Sequence, residues 1–273
     1  MPHCACCAAT LLLGLGLLAS VAQASSSGSH EEEVLMGWKG ETYKPGLVDD
    51  SSAQPWVETI SWQPRAFIYH GFLSDVECEH LKGMVAQRLR RSEVVAANGS
   101  AEDPVRTSWS ASIGSDEVVA GIEQRIARWT HLPASHGEPI EVLRYINNQK
   151  YEAHWDYFFG DIPSPPGNRV ATVLMYLTDV DPGSGGETSL PLAQAIDSRL
   201  QSTSGMSSCA SRMGIAVLPR KGDALLFWDA QPDGQTVDRH SLHASCPTSR
   251  GEKWTATRWI HMAPYGYGAG AGL

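Results

Sequence analysis

Apolar residues recur at two different periods along this chain, and the change of period divides it. Val76, Leu81 and Val85 fall among charged residues after Ser74, which stands three positions before Glu77. A serine and a glutamate so spaced cap each other's backbone N–H groups, so a helix is predicted from Ser74 to about Arg90. A second helix is predicted after Ser115, where Val118, Ile122 and Ile126 repeat every fourth residue on one face. From Ile140 the pattern shortens to strands: Ile140–Ile146, Val170–Thr178, Glu187–Leu192, Gly214–Leu218, Ala224–Trp228, Ser241–Cys246 and Trp254–His261. Turns containing Gly or Pro separate most of them. Helices from the N-terminal half followed by many short strands indicate an α+β fold, with the helices packed on a distorted double-stranded β-helix of jelly-roll type.

The ends lie outside that pattern. Residues 1–24 hold no Lys, Arg, Asp or Glu, and their apolar run Leu11–Val21 is too short to span a bilayer. It closes on Ala22-Gln23-Ala24, a small-residue cleavage pattern, so 1–24 is expected to be a signal peptide. Residues 25–55 are polar and read as a linker, 56–264 as the domain, and the Gly/Ala/Tyr-rich 265–273 as a disordered tail. A monomer in the lumen of the endoplasmic reticulum or Golgi is expected, touching a membrane only if the first segment stays uncleaved. In such a compartment Asn98-Gly99-Ser100 is a glycosylation acceptor at Asn98. A net charge of −9 with no basic run argues against a nucleic-acid binder.

The chemistry rests on His154, Asp156 and His243. Residues i and i+2 of a strand project to one side, so His154 and Asp156 can bind one ion, and a distant His completes a three-ligand face. Two neutral imidazoles and one carboxylate with open positions form the ligand set of non-haem Fe(II) oxygenases. Lys253, ten residues after His243, offers a fixed charge to a co-substrate carboxylate. Lys253, Thr255, Thr257, Trp259 and His261 share one strand face, and Trp254, Ala256 and Ile260 the other. A face bearing Lys, Trp and His inward suits a barrel that encloses a polar ligand. Cys78, Cys209 and Cys246 remain beyond the leader, an odd number that leaves one thiol unpaired, and Cys78 has the surroundings of a buried apolar residue.

Several stretches resemble the 2-oxoglutarate-dependent prolyl 4-hydroxylases of plants and green algae. They begin at Trp62 (Trp-Gln-Pro-Arg-Ala-Phe), Arg144 (Arg-Tyr-Ile-Asn-Asn-Gln-Lys-Tyr-Glu-Ala-His-Trp-Asp) and Arg169 (Arg-Val-Ala-Thr-Val-Leu-Met-Tyr-Leu). Others follow at Gly185 (Gly-Gly-Glu-Thr-Ser-Leu-Pro), Pro219 (Pro-Arg-Lys-Gly-Asp-Ala), Ser241 (Ser-Leu-His-Ala-Ser-Cys-Pro) and Gly251 (Gly-Glu-Lys-Trp-Thr-Ala-Thr-Arg-Trp-Ile-His). The resemblance runs from about Val57 to Pro264. It favours His243 over His240 as third ligand, because Lys253 follows His243 at the family's interval, whereas His240 falls in a Pro/Asp/Gly-rich turn. It implies Fe(II), 2-oxoglutarate, O2 and L-ascorbate as cofactors, with Tyr145 and Thr188 joining Lys253 around the far carboxylate of 2-oxoglutarate. It also implies a Cys209–Cys246 disulfide, and a groove for proline-rich polypeptide in the polyproline II conformation at Arg169, Tyr151, Trp259 and His261. Residues 92–108 are the candidate lid over that groove. The implied reaction is 4-hydroxylation of peptidyl proline in secreted or wall-type proteins, coupled to oxidative decarboxylation of 2-oxoglutarate to succinate and CO2. Asp156 favours hydroxylation, since related halogenases lack that carboxylate. Two other readings use the same scaffold: a dioxygenase with another substrate, and a catalytically silent Pro-rich peptide-binding module. The second has no need of His154, Asp156, His243 and Lys253 together.

Overall fold

A hairpin that the apolar pattern does not announce comes first: β1 (Trp56–Gln63) pairs antiparallel with β2 (Arg65–His70). The pairing slips between Thr59 and Ser61, which breaks the alternation that would have marked a strand. The structure, a computed structural model, describes residues 54–96, 99–160, 167–197, 205–211 and 214–266. The expected signal peptide, the linker to residue 53, Asn98 and the tail from residue 267 lie outside the described residues.

Helix α1 (Asp75–Val85) opens on the expected cap. Glu77 N–H donates to Ser74 Oγ, and Ser74 N–H donates to the Glu77 carboxylate. The helix stops at Val85 rather than near Arg90, because the Arg88 N–H turns back to Val85 O and its guanidinium takes Met84 O. Short strands β3 (Arg90–Arg91), β4 (Val94–Ala96), β5 (Gly99–Ala101) and β6 (Trp109–Ser112) follow. Helix α2 (Glu117–Thr130) is capped by Asp116, whose carboxylate accepts the Val119 N–H. It buries Val119, Ile122 and Ile126, while Val118 stays partly exposed.

The remaining strands are β7 (Glu141–Ile146), β8 (Tyr151–His154), β9 (Arg169–Tyr176), β10 (Thr188–Leu190), β11 (Gln194–Ala195), β12 (Ile215–Val217), β13 (Ala224–Trp228), β14 (His243–Ser245) and β15 (Glu252–His261). The segment expected as strand from Ser241 starts instead as a 3-10 turn over Arg239–Ser241, with Asp238 accepting the His240 N–H, and pairs only from His243. Between β7 and β8 the chain reverses through Asn147 and Asn148, at φ 53° and 63°, a region asparagine tolerates.

Two antiparallel sheets make the core. The larger runs β11-β1-β2-β13-β9-β15-β7-β6-β3 and the smaller β12-β10-β14-β8. Strand parity divides the large sheet's contacts. Val142, Val173, Met175, Leu226, Ala256 and Ile260 pack with Leu81 and Val85 of α1 and Ile122 and Ile126 of α2. Tyr176, Leu225 and Phe227 pack with Leu190, Ile215 and Val217 of the small sheet. This is the double-sheet architecture expected from the sequence. A Gly-Gly turn lets the sheets close: Gly185 has φ 76°, and a Cβ there would lie 1.9 Å from Pro247 O.

Candidate active site

Pairing between β14 and β8 sets His243 directly opposite His154, which brings residues far apart in sequence onto one site. β8 ends at His154, so Asp156 is not the second residue of a continuous strand face as expected. It lies in the bend that follows and turns inward, almost fully buried. His154 Nε2 is 3.6 Å from Asp156 Oδ1, and His243 Nε2 is 3.6 Å from Asp156 Oδ2. One ligand atom from each residue falls within 4.8 Å of the others. The Nδ1–H of His154 donates to Glu152 O at 2.7 Å and that of His243 to Ser241 O at 3.0 Å. Each Nδ1 is thereby occupied and each Nε2 is the nitrogen turned to Asp156, the orientation a metal requires. His240 is turned to Asp238 in the 3-10 turn and takes no part.

Electrostatics match this arrangement. Burial opposes ionisation of Asp156, but His243 and His154 outweigh it and hold the carboxyl well below its usual range. Burial, reinforced by His154, pushes His243 down to about 4, so its imidazole is neutral. Thr172 Oγ1, on β9, lies 2.8 Å from Asp156 Oδ2.

A narrow cavity leads from these residues between the sheets to Lys253, which is 1% exposed on β15. Lys253 Nζ donates to Ser245 Oγ at 3.0 Å and lies 5.3 Å from the Tyr145 ring centroid. Burial lowers its ammonium to about 7, partly offset by Glu187. Tyr145 and Thr188 line the same cavity, and Tyr176 O–H donates to Thr188 Oγ1 at 3.0 Å. Thr255, Thr257 and Trp259 line it as their shared parity with Lys253 predicts. Cys209 and Cys246 are joined, and Cys78 is a buried free thiol. The bridge closes beside the cavity: the Cys246 N–H donates to Glu187 O, and Ser207 donates to the Glu187 carboxylate.

A second cavity of about 730 Å³ shares His154 and Asp156 with the first. Tyr151, Arg169 and Trp259 lie on its walls, together with Trp155, Phe158 and Val94 and Val95 from the β4–β5 hairpin within the 92–108 segment. Arg169 is pinned by two contacts to Glu138, at 2.5 and 3.0 Å, with its guanidinium 4.0 Å from the Trp259 ring centroid. His261 does not reach either wall. A register slip after Ile260 turns it behind Glu138, 3.0 Å from Oε1. Nothing in residue spacing marks Arg106, which is buried between the two cavities, bonded to Glu93 O and stacked 5.0 Å from the Tyr151 ring.

Residues 140–261 match the model of the 2OG-Fe(II) oxygenase superfamily. Among curated proteins, the chain is 44% identical over 219 residues to prolyl 4-hydroxylase 5 of Arabidopsis thaliana, covering 78% of this chain and 74% of that one. It is 47% identical over 214 residues to prolyl 4-hydroxylase 2 of the same plant, covering 76% and 70%. Among solved structures it resembles the viral collagen prolyl hydroxylase of Paramecium Bursaria Chlorella virus-1 in complex with 2OG, at 26% identity and a TM-score of 0.52, covering 71% of this chain and 94% of that one. On the strength of these likenesses and of the site geometry, the chain belongs to the prolyl 4-hydroxylase family of 2OG-Fe(II) oxygenases.

Proposed function

We propose that this enzyme 4-hydroxylates peptidyl proline in proline-rich secreted or wall-type polypeptides. The observation that carries the reading is the facing of two His and one Asp across a cavity that ends on a buried lysine. The donor set fits Fe(II): two imidazoles with inward Nε2 atoms and one carboxylate. The cavity fits 2-oxoglutarate, because Lys253 is a buried cation whose near partner is a neutral hydroxyl.

His154, Asp156 and His243 would hold the metal, and Lys253 the far carboxylate of 2-oxoglutarate, with the Tyr145 and Thr188 hydroxyls beside it. When bound, iron and 2-oxoglutarate supply with O2 the oxidising chemistry that yields succinate, CO2 and the hydroxylated carbon. The residues of the chain bind, orient and exclude water. An anion beside Lys253 favours its charged form and reverses the effect of burial. Arg169, held flat by Glu138 against Trp259, offers N–H donors to peptide carbonyls in the larger cavity. The aromatic walls at Tyr151, Trp155 and Trp259 suit the flat faces of a polyproline II ligand. His261 acts one step back, through Glu138, and the β4–β5 hairpin serves as the lid. L-Ascorbate is the proposed reductant that keeps the metal ferrous. Residence in the secretory lumen is supported by the Cys209–Cys246 bridge, since disulfides persist in oxidising compartments.

The test is mass spectrometry of polyproline and Ser-Pro repeat peptides after incubation with enzyme, Fe(II), 2-oxoglutarate and ascorbate. Addition of one oxygen per modified proline, matched by succinate, is expected. Equal or better use of free proline or peptidyl lysine would move the enzyme to a sister activity.

A further inference from the structure

Thr172 stands between two carboxylates. Its Oγ1 is 2.8 Å from Asp156 Oδ2 and 2.8 Å from Asp229 Oδ2. Asp229 follows β13 and is 0% exposed, with its backbone fixed by Val170 O and the Asp238 N–H. Two hydrogen bonds among three oxygens need two hydrogens, and a threonine hydroxyl carries one. The second must come from a carboxyl group, since two ionised carboxylates sharing one hydrogen would leave a short contact between lone pairs inside the protein.

The neighbours decide which carboxyl carries it. Asp156 Oδ1 lies 3.9 Å from the Arg169 guanidinium, a permanent cation that favours its anion. Asp229 faces the carboxylates of Asp156 and Asp238, with Arg169 the one opposing charge, and its Oδ1 has no hydrogen-bond partner among the described residues, a setting suited to a neutral acid. Burial, then the Asp156 charge, pushes the Asp229 carboxyl well above its usual range. Asp229 O–H therefore donates to Thr172 Oγ1, and Thr172 O–H donates to Asp156 Oδ2.

We propose that Asp229, as a neutral carboxylic acid, acts through Thr172 as a positioning residue that locks the rotation of the Asp156 carboxylate and thereby sets metal affinity. This rests on the ligand set proposed above. Thr172 lies on β9 and Asp229 just past the end of the neighbouring strand β13, both anchored to the large sheet, whereas Asp156 lies in a bend outside any strand. Outer partners of metal ligands commonly contribute roughly 10–100-fold in metal affinity.

The readout is the dissociation constant of Co(II), titrated through its visible absorption bands in the otherwise intact protein without 2-oxoglutarate. Thr172→Val, which keeps the shape and removes the hydroxyl, and Asp229→Ala should each weaken Co(II) about 10-fold or more. Asp229→Asn should stay within about threefold of wild type, because its amide N–H donates to Thr172 as the acid O–H does. Wild-type affinity in Thr172→Val would overturn the proposal, as would loss in Asp229→Asn as large as in Asp229→Ala. If Asp229→Ala fails to fold, Thr172→Val and Asp229→Asn still decide. Asp156→Ala separates the two levels: if it binds Co(II) like wild type the ligand set itself fails, and if it alone loses Co(II) only the Asp229–Thr172 link fails.

Discussion

Lys253 shows how burial turns an ordinary side chain into a specific one. With a neutral hydroxyl at 3.0 Å and a wall of Tyr145 beside it, its charge is poorly compensated until an anion arrives. Lys253→Ala should therefore raise the KM for 2-oxoglutarate far more than that for peptide. Truncating one partner of a buried charge-assisted contact costs about 2–5 kcal/mol, a tens-fold effect or larger. Initial-rate kinetics with each substrate varied in turn check this, and an unchanged 2-oxoglutarate dependence would remove Lys253 from the pocket. His154, Asp156, His243 and Lys253 are legible in sequence because they keep type, order and spacing. Thr172, Asp229 and Arg106 are not, since each acts by contact across strands and carries no local pattern of its own.

Among elements, β1, β2 and β13 are tied by one imidazole. His70 on β2 bonds Glu58 of β1 at 3.1 Å and Asp223, just before β13, at 2.8 Å. Burial disfavours its charge, but the two carboxylates outweigh it and raise it from 6.5 to about 9. A raised value means the stabilisation is fully present below about pH 6.5 and is lost as pH climbs through about 9. On the order of 1–3 kcal/mol should disappear over that window in urea unfolding, and His70→Gln should flatten the profile. The disulfide joins residues 37 apart in sequence, and a loop of that size contributes about 3–4 kcal/mol in the chain-entropy model. The double variant Cys209→Ala with Cys246→Ala should lose a comparable amount, and an unaltered unfolding midpoint would contradict it. The helices are legible because caps and period coincide within them. Strands β1 and β2 are hidden by their slipped register, and the end of β8 because Asp156 keeps its inward direction after pairing has stopped.

At the scale of the molecule, the cavity of about 730 Å³ lies along the same side of the ligand cluster as Arg169 and the β4–β5 hairpin, so remote contacts and the reacting position belong to one groove. A polyproline II ligand repeats about every three residues, so contacts accumulate with length. The value of kcat/KM should climb steeply from a single proline to a tract of several, and Arg169→Ala should weaken peptide use while sparing 2-oxoglutarate. A flat dependence on tract length in competition assays would argue against the groove. The two-sheet plan was legible from strand number and parity; the groove was legible only through the family resemblance, which named Arg169, Tyr151 and Trp259 but not Trp155 or Phe158 from the irregular chain after β8. The register that sets His243 opposite His154 has one more consequence. β8 is the outer strand of the small sheet, paired with β14 on one side and tied on the other only by the bridge of Tyr151 to Arg106 among the described residues. A metal held by both histidines would rivet that outer strand in place, so amide exchange across 151–154 should slow on loading, and bound metal at about 100 times its dissociation constant adds about 2.7 kcal/mol to stability. Losing the metal would then loosen the fold and silence the chemistry in a single event.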